Sequence, residues 1–254
     1  WTDGTTEVTT EKNVKVGGGV TFSEENADVC DTLKAGTVRW TGEDFEGCDG
    51  NAWLSLTFAP APEVPTVTTA TGRVWMDRNL VASRVAQSID DAEAFGGLYQ
   101  WGRATDGHEI IDPPSETTGT LSSGSTPGHN KFIMSDGDWM ATPDPRRWQA
   151  VDGINNPCPP GFRVPTMDEF NELLKEVGSP RPSSEALFNS KYRMVTGVER
   201  DHADGTIDTW SSTGYWTSTP GSTTTSAMNY AVVLVRFLQD DIAQGYHVRC
   251  ISEE

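Results

Sequence analysis

Cysteine, histidine and carboxylate are the side chains in this sequence with chemistry to offer, and their spacing narrows what that chemistry is. The four cysteines fall into two neighbourhoods, Cys30 with Cys48 and Cys158 with Cys250, and no Cys-x-x-Cys step occurs. That pattern suits two disulfides in an oxidising compartment better than a zinc site. His108, His129, His202 and His247 lie far apart, without a His-Glu-x-x-His step or other ligand spacing. A Gly-x-Ser-x-Gly elbow and a Gly-rich phosphate loop with a following Lys are also absent. The expectation is a protein that is not an enzyme and carries no cofactor. Calcium is the open case. Asp136 and Asp138 stand one residue apart in the Gly-containing turn Ser135-Asp-Gly-Asp-Trp139, and Asp106 with Glu109 could lend oxygen ligands of the kind calcium prefers. The competing reading is a solvated acidic loop, since in a chain with 37 acidic residues neighbouring carboxylates say little. Neither an EF-hand nor the Glu-Pro-Asn motif of calcium-dependent sugar binding is found. Trp101, Trp139, Trp148, Trp210 and Trp216 could form a carbohydrate platform, but tryptophan more often anchors a core. Trp216 is assigned there.

Composition removes whole classes of function. The chain has 254 residues and a formal net charge of −18, without a block of Lys or Arg. A nucleic-acid surface would lack the phosphate-neutralising charge on which such binding rests. No apolar run approaches the roughly 20 residues of a spanning helix, so membrane insertion is not expected. Trp1 opens neither a signal peptide nor a chain with an initiator methionine, which points to a processed product or excised fragment.

The elements that position these residues can be read from periodicity. Thr166 and Glu169 stand at capping-box spacing, and Phe170, Leu173, Leu174 and Val177 then mark one apolar helical face, with Gly178 and Pro180 as stop signals. A second, short helix is expected over 88–99, where Ser88 and Asp91 have similar spacing. Val14, Val16, Val20 and Phe22 alternate around a triple-glycine turn, and Thr37–Trp40, Trp53–Leu56 and Gly72–Leu80 read as strands. Residues 112–128, rich in Pro, Ser, Thr and Gly, read as an exposed loop. The alternating prolines of 58–65 make a stiff spacer, dividing a β-rich module at 1–57 from a larger domain at 66–254.

Two resemblances follow from motifs. Cys30-Asp-Thr-Leu-Lys-Ala-Gly-Thr-Val-Arg-Trp40, followed by Phe45-Glu-Gly-Cys48-Asp-Gly-Asn-Ala-Trp-Leu-Ser-Leu56, resembles a short module of phage tail fibres and related bacterial fibre proteins. The resemblance implies a trimeric shaft, against the plainer reading of a disulfide-stapled hairpin without an assembly role. In the larger domain, Gly72-Arg-Val-Trp-Met-Asp-Arg-Asn-Leu80, Gly97-Leu-Tyr-Gln-Trp-Gly-Arg103, Asn156-Pro-Cys-Pro-Pro-Gly-Phe-Arg-Val-Pro-Thr166, Tyr215-Trp-Thr-Ser-Thr219 and Gly245-Tyr-His-Val-Arg-Cys250 occur in order. Together they resemble the Fibrobacter major paralogous domain family, a branch of the C-type lectin fold. That implies an α+β fold with two helices, a twisted antiparallel sheet and long irregular loops, and it places the family's cysteine pair on Cys158 and Cys250. Formylglycine-generating enzymes are distant relatives in fold, but they need reactive cysteines, and both cysteines of this domain are assigned to the structural pair.

Members of this fold serve as display scaffolds at the tips of phage fibres and on bacterial surfaces, and some carry retroelement-diversified residues near the carboxyl terminus. The corresponding stretch here is apolar on both faces, Asn229-Tyr-Ala-Val-Val-Leu-Val-Arg-Phe237. Either it is a central strand covered on both sides or its outward residues form an interaction patch. Alternation puts Ala231, Val233, Val235 and Phe237 inward, leaving Tyr230, Val232, Leu234 and Arg236 outward with Met228, Asn229, Gln239, Asp240, Asp241 and Gln244. In the terminal strand Tyr246, Val248 and Cys250 should point inward, and His247 and Arg249 outward. These outward residues, His247 included, form the candidate ligand-binding face. Asn229, Tyr230, Val232, Asp240 and Asp241 are reachable by randomising an adenine-rich codon, whereas Met228, Gln239 and Gln244 fit that idea poorly. The expected function is adhesin-like binding of a protein or glycan receptor on a cell surface. The chain would form a homotrimer through 1–57 and be extracellular, on a virion or a cell. A fibre subunit whose head packs only against its neighbours is the competing expectation.

Overall fold

The computed structural model describes residues 30, 32, 37–40, 45–48, 50–55, 64–178, 182–209, 214–222, 226–231 and 236–253. The stretch around Val14 to Phe22 and the side chain of Trp210 lie outside them. The chain separates into two units, Trp1–Glu63 and Val64–Glu254, and the division falls within the proline-rich stretch.

In the smaller unit, β1 (Val38–Trp40), β2 (Phe45–Cys48) and β3 (Trp53–Ser55) form an antiparallel sheet in that order. Its register aligns Val38 with Gly47 and Gly47 with Leu54. Side chains alternate along a strand, so Val38 and Leu54 share a face, and they are 41% and 52% exposed. Across the other face Arg39 lies 4.2 Å over Trp53 and pairs with Glu46 at 2.6 Å. Cys30 and Cys48 form a disulfide.

The larger unit is a mixed α+β body of mostly antiparallel strands in several small sheets, with two helices. Its strands are β4 (Thr66–Thr68), β5 (Val74–Met76), β6 (Tyr99–Gln100), β7 (Thr117–Thr118), β8 (Phe132–Ile133) and β9 (Phe162–Arg163). After the helices α1 (Met167–Glu176) and α2 (Ser184–Asn189) come β10 (Glu199–Arg200), β11 (Ile207–Asp208), β12 (Gly214–Pro220), β13 (Ser226–Ala231), β14 (Arg236–Asp241), β15 (Gly245–Tyr246) and β16 (Ile251–Ser252). The sheets run β4-β5-β16-β9, β11-β10-β15-β6 and β12-β13-β14, beside a parallel pair β7-β8. The end of the chain is thus held in the interior of a sheet, with Ile251 facing Trp75 on one side and Arg163 on the other.

Helix α1 forms as its sequence predicts. The Thr166 hydroxyl accepts the Glu169 amide at 3.2 Å, and the Glu169 carboxylate accepts the Thr166 amide at 2.9 Å, so each satisfies a donor that the first turn leaves open. Arg163 grips the same carboxylate at 2.7 and 2.6 Å. Burial pushes the Glu169 pKa up, but the Arg163 and Thr166 hydrogen bonds outweigh it and hold it at about 2. Phe170, Leu173 and Leu174 are fully buried, and Phe170 meets Trp75 edge-on at 5.7 Å. Gly178, at φ 116°, takes the left-handed conformation that ends the helix.

The helix expected over 88–99 is instead a short 3₁₀ turn, Ala92–Ala94, capped by Asp91. The Asp91 carboxylate is drawn to Arg84 at 2.9 Å and to the Gln87 amide at 2.9 Å, and Gly96 at φ 69° then breaks the helical path, so Tyr99 enters β6. Trp101, Trp139, Trp148 and Trp216 are fully buried in one cluster and cannot form a carbohydrate platform. Each indole N–H donates to a backbone carbonyl, those of Thr217, Trp101, Asn155 and Tyr99 respectively, at 2.7 to 2.9 Å. Among the described residues no helix is long and apolar enough to cross a membrane.

Cys158 and Cys250 are joined, closing a loop of sequence separation 92 beside the β9–β16 pairing. Both disulfides fit an oxidising compartment. Replacing Cys158 and Cys250 by alanine is expected to lower the unfolding free energy in urea by ~4 to 5 kcal/mol, the loop-entropy value for a link of this span. An unchanged denaturation midpoint would overturn the bracing role.

Candidate functional site

The carboxyl-terminal face is built on β12. Tyr215, Trp216 and Thr217 are fully buried, and the strand lies along the terminal segment through Trp216 N–H to His247 O at 2.9 Å and His247 N–H to Gly214 O at 3.1 Å. β13 pairs with β12, and β14 returns along β13 with Ala231 opposite Arg236, Tyr230 opposite Phe237 and Met228 opposite Gln239. The stretch 229–237 is therefore not one strand but parts of two, and the chain reverses between Ala231 and Arg236. Direct opposition puts Tyr230 in the same alternation phase as Phe237, where a single strand would put them in opposite phases. Phe237 packs edge-on against Phe170 at 6.3 Å, tying the hairpin to α1. Asn229 and Arg236 share this hairpin backbone, while Val232 and Leu234 lie outside the described residues.

Below the hairpin the polar candidates separate. Gln239 is exposed, and its side-chain carbonyl accepts the Ser222 amide at 2.8 Å. Asp240 accepts the Tyr246 hydroxyl at 2.6 Å, so it orders the core edge. Burial, then the Asp240 charge, push the Tyr246 phenol well above its ordinary pKa. Asp241 is half-buried and 3.4 Å from His202 Nε2. Its pKa is raised, chiefly by burial and further by Asp240 and Asp136, against the opposing pull of His202.

Two candidates are corrected by burial. Gln244 is only 5% exposed, and its carbonyl oxygen holds the His202 amide at 3.0 Å and faces His202 Nδ1 at 2.7 Å. His247 is fully buried, its ring 5.3 Å from that of Tyr215 and 6.1 Å from that of Phe95. The expected outer face of the terminal segment does not exist, because 247–250 run between packed layers and Arg249 is as enclosed as Cys250. Neither His247 ring nitrogen has a hydrogen-bond partner among the described residues. Burial, then the Arg249 charge, lower its pKa to about 3, against a weaker upward pull from the backbone at Phe95 and Gly97.

The calcium candidates are also separated. Asp136 is 96% exposed, whereas Asp138 is buried and bound through both oxygens by Arg147 at 3.2 and 2.5 Å. Asp106, His108 and Glu109 come close enough to hold an ion. Their donor atoms are already used. His108 Nε2 accepts the Gln100 amide at 3.1 Å, which leaves the ring proton on Nδ1, 2.7 Å from Asp106, while Asp106 also receives Arg103 at 2.8 Å. Burial raises the Asp106 pKa, but His108 and Arg103 more than offset it and keep the carboxyl below its ordinary value.

Four fully or almost fully buried arginines, none of which sequence reasoning placed in the interior and one of which, Arg249, it placed outward, organise the loops. Arg103 donates to His129 O, Lys131 O and Gln100 Oε1 at 3.0, 2.9 and 2.9 Å. Arg147 donates to Asp144 O at 2.8 Å and lies 4.9 Å over the Trp139 ring. Arg200 binds Gly205 O, Ser115 Oγ and Ser115 O at 3.0, 2.7 and 2.6 Å. Arg249 donates to Asn79 Oδ1 at 3.0 and 2.8 Å and to Tyr192 O at 2.8 Å. Burial lowers the Arg249 pKa and brings that of Arg200 down to about 10. The available signal was the presence of Arg103 and Arg249 inside the two motifs that end Trp-Gly-Arg and Val-Arg-Cys. Comparison with protein families, curated proteins and solved structures gives no match.

Asp138→Ala leaves a buried guanidinium without its counter-charge and is expected to cost ~3 to 5 kcal/mol in urea unfolding. Addition of calcium or of a chelator should leave the thermal midpoint of the parent chain unchanged. A calcium-dependent rise would return Asp138 or the Asp106 group to the list of ligands. His247 predicts a pH effect of definite sign. Its folded pKa, about 3, lies below the ordinary 6.5, so the unfolded chain takes up the proton first. Stability contributed by the neutral ring is complete above about 6.5 and is lost as pH falls toward about 3. In His247→Phe the stability-against-pH curve should be flatter across that window, and an unaltered curve would contradict the assignment.

Proposed function

We propose that Val64–Glu254 is the lectin-like head of a non-enzymatic receptor-binding protein of an extracellular fibre, carried on a virion or cell surface, and that the smaller unit joins three chains. The head is assigned to the Fibrobacter major paralogous domain family on its five ordered motifs. The observation that carries the reading is how the reactive and charged groups of the body are used. Cys158 and Cys250 are spent in a disulfide, and the buried guanidiniums are engaged chiefly by loop carbonyls and by Asp138 and Asn79. Such a body fixes irregular loops and presents what they and the hairpin carry, which is what a display scaffold requires. The binding face in this reading is the β13–β14 hairpin with Met228, Asn229, Val232, Leu234, Arg236, Gln239 and Asp241, without Tyr230, whose pairing opposite Phe237 puts it in the phase that packs on α1. Asp240, Gln244 and His247 support it from beneath.

Self-association of the smaller unit is supported by the apolar pair Val38 and Leu54, exposed on one face of a three-stranded sheet too small to provide a core of its own. The receptor would be a surface protein or glycan.

The chain immobilised on a sensor is expected to retain a component of a bacterial envelope extract or of a glycan array. Combined replacement of Val232, Leu234, Arg236 and Asp241 should abolish that retention without moving the thermal midpoint, and unfolding of the variant would instead assign these residues to the core. In sedimentation equilibrium the chain should be a trimer, and Val38→Glu with Leu54→Glu a folded monomer. A trimer that survives both substitutions would refute the assembly role of this sheet.

A further inference from the structure

A cavity of about 630 Å³ opens on the larger unit, away from the residues assigned to the hairpin face. This volume is typical of sites that enclose a small organic ligand. Its apolar lining is contributed by Val81, Phe95, Ile110, Ile111, Val198 and Ile207.

The walls are fixed before any ligand arrives. Gly97 N–H binds Leu80 O at 3.1 Å and Leu98 N–H binds Glu109 O at 3.0 Å, joining two walls through backbone. At Gly96 a side chain is excluded, since a Cβ would lie 2.3 Å from Leu80 O. Arg200 in β10, beside the wall residue Val198, reaches to Ser115 O at 2.6 Å and His108 O at 3.3 Å and so clamps the turn that carries Ile110 and Ile111. Two rim residues violate ordinary surface preferences. Val81 holds φ 57°, a region that β-branched residues avoid, with 57% of its surface exposed. Ile110 is 46% exposed beside it. Strained and exposed apolar residues on a preformed cavity are the features expected where a ligand supplies the missing contacts.

The charge lining the cavity has one sign. Glu93, Glu109 and Asp112 are its acidic residues, and among the described residues no Lys, Arg or His lines it. Glu93 is engaged by Arg84 at 3.1 Å. Glu109 is 4% exposed and already held by the Gly107 amide at 3.0 Å and by His108 Nδ1 at 3.2 Å, which leaves Asp112, at the exposed rim, as the carboxylate without an ion-pair partner among the described residues. An unpaired carboxylate at the rim of apolar walls favours a cation and disfavours an anion of the same shape.

We propose that this cavity binds a small amphiphilic cation, an ammonium group on an aliphatic body, with the body against Val81, Phe95 and Ile110 and the ammonium toward Asp112. The site is separate from the hairpin face and does not depend on the receptor-binding reading. Isothermal titration of the full chain with n-octylammonium, below its micellar concentration, should give saturable binding of one ligand per chain. Octanoate, which has the same tail and opposite charge, and methylammonium, which lacks the tail, should each bind at least roughly tenfold more weakly. Ile110→Lys places a charge in the apolar wall and Asp112→Lys reverses the rim charge. Both residues are exposed, and each variant should lose at least roughly tenfold in affinity while keeping the parent's thermal midpoint. The two variants are independent, so a folding defect in one leaves the other to decide. Equal binding of octanoate, absence of saturation, or parental affinity in a folded variant would overturn the proposal.

Discussion

A buried guanidinium must find acceptors for its donors, and that constraint shapes the larger unit of this protein. Apart from α1 and α2, regular structure accounts for little of the chain between β6 and β12, where the strands are only two residues long and the loops between them have no ladder to satisfy their carbonyls. Arg103, Arg200 and Arg249 fill that role from inside by meeting acceptors on segments distant in sequence, while Arg147 bonds nearby, at Asp144 O and Asp138. A guanidinium presents donors in a rigid plane, so the loops it bonds are fixed in relative direction as well as in distance. Desolvation makes the arrangement demanding, because each arginine left short of partners would destabilise the body by more than the bonds it makes contribute.

Aromatic packing and the terminal disulfide complete what the arginines begin. The same tryptophans that form the core give their indole N–H groups to backbone carbonyls, which joins apolar burial to loop placement in one side chain. Arg147 lies against two of those rings, so the polar and apolar networks meet at Trp101 and Trp139. At the end of the chain, β16 enters between β5 and β9 and Cys250 is tied to Cys158, which leaves the terminal segment enclosed on both sides. A body organised in this way is rigid where it is irregular.

Parts of the candidate site were legible in the sequence because they follow from local chemistry. The Thr166–Glu169 capping box, the apolar face from Phe170 to Leu174 and the burial of Trp216 needed only spacing and side-chain type, and the structure has each of them. Strand alternation failed where its premise failed. It assumes a ribbon with one wet face. The segment 247–250 is covered on both, which turns His247 and Arg249 from surface residues into interior ones. The stretch 229–237 misled in another way, since a continuous apolar run carries no mark of the reversal between β13 and β14. Composition likewise could not separate Asp136 from Asp138, which are alike in sequence and opposite in exposure.

The resemblance to a known fold family implied the mixed α+β character of the larger unit; the sequence by itself determined the helix start and the two cysteine neighbourhoods. These depend on residues within a turn or two of one another, or on the even count of a reactive side chain. Only the tertiary structure decided which charges are interior, that the Asp106, His108 and Glu109 group is spent on its own hydrogen bonds, and that Val81, Ile110 and Val198 meet around one cavity. The first and the last of those outcomes join residues far apart in the chain. Their free energy comes from desolvation and from acceptors supplied by distant backbone, and neither quantity leaves a periodic trace in the order of the amino acids.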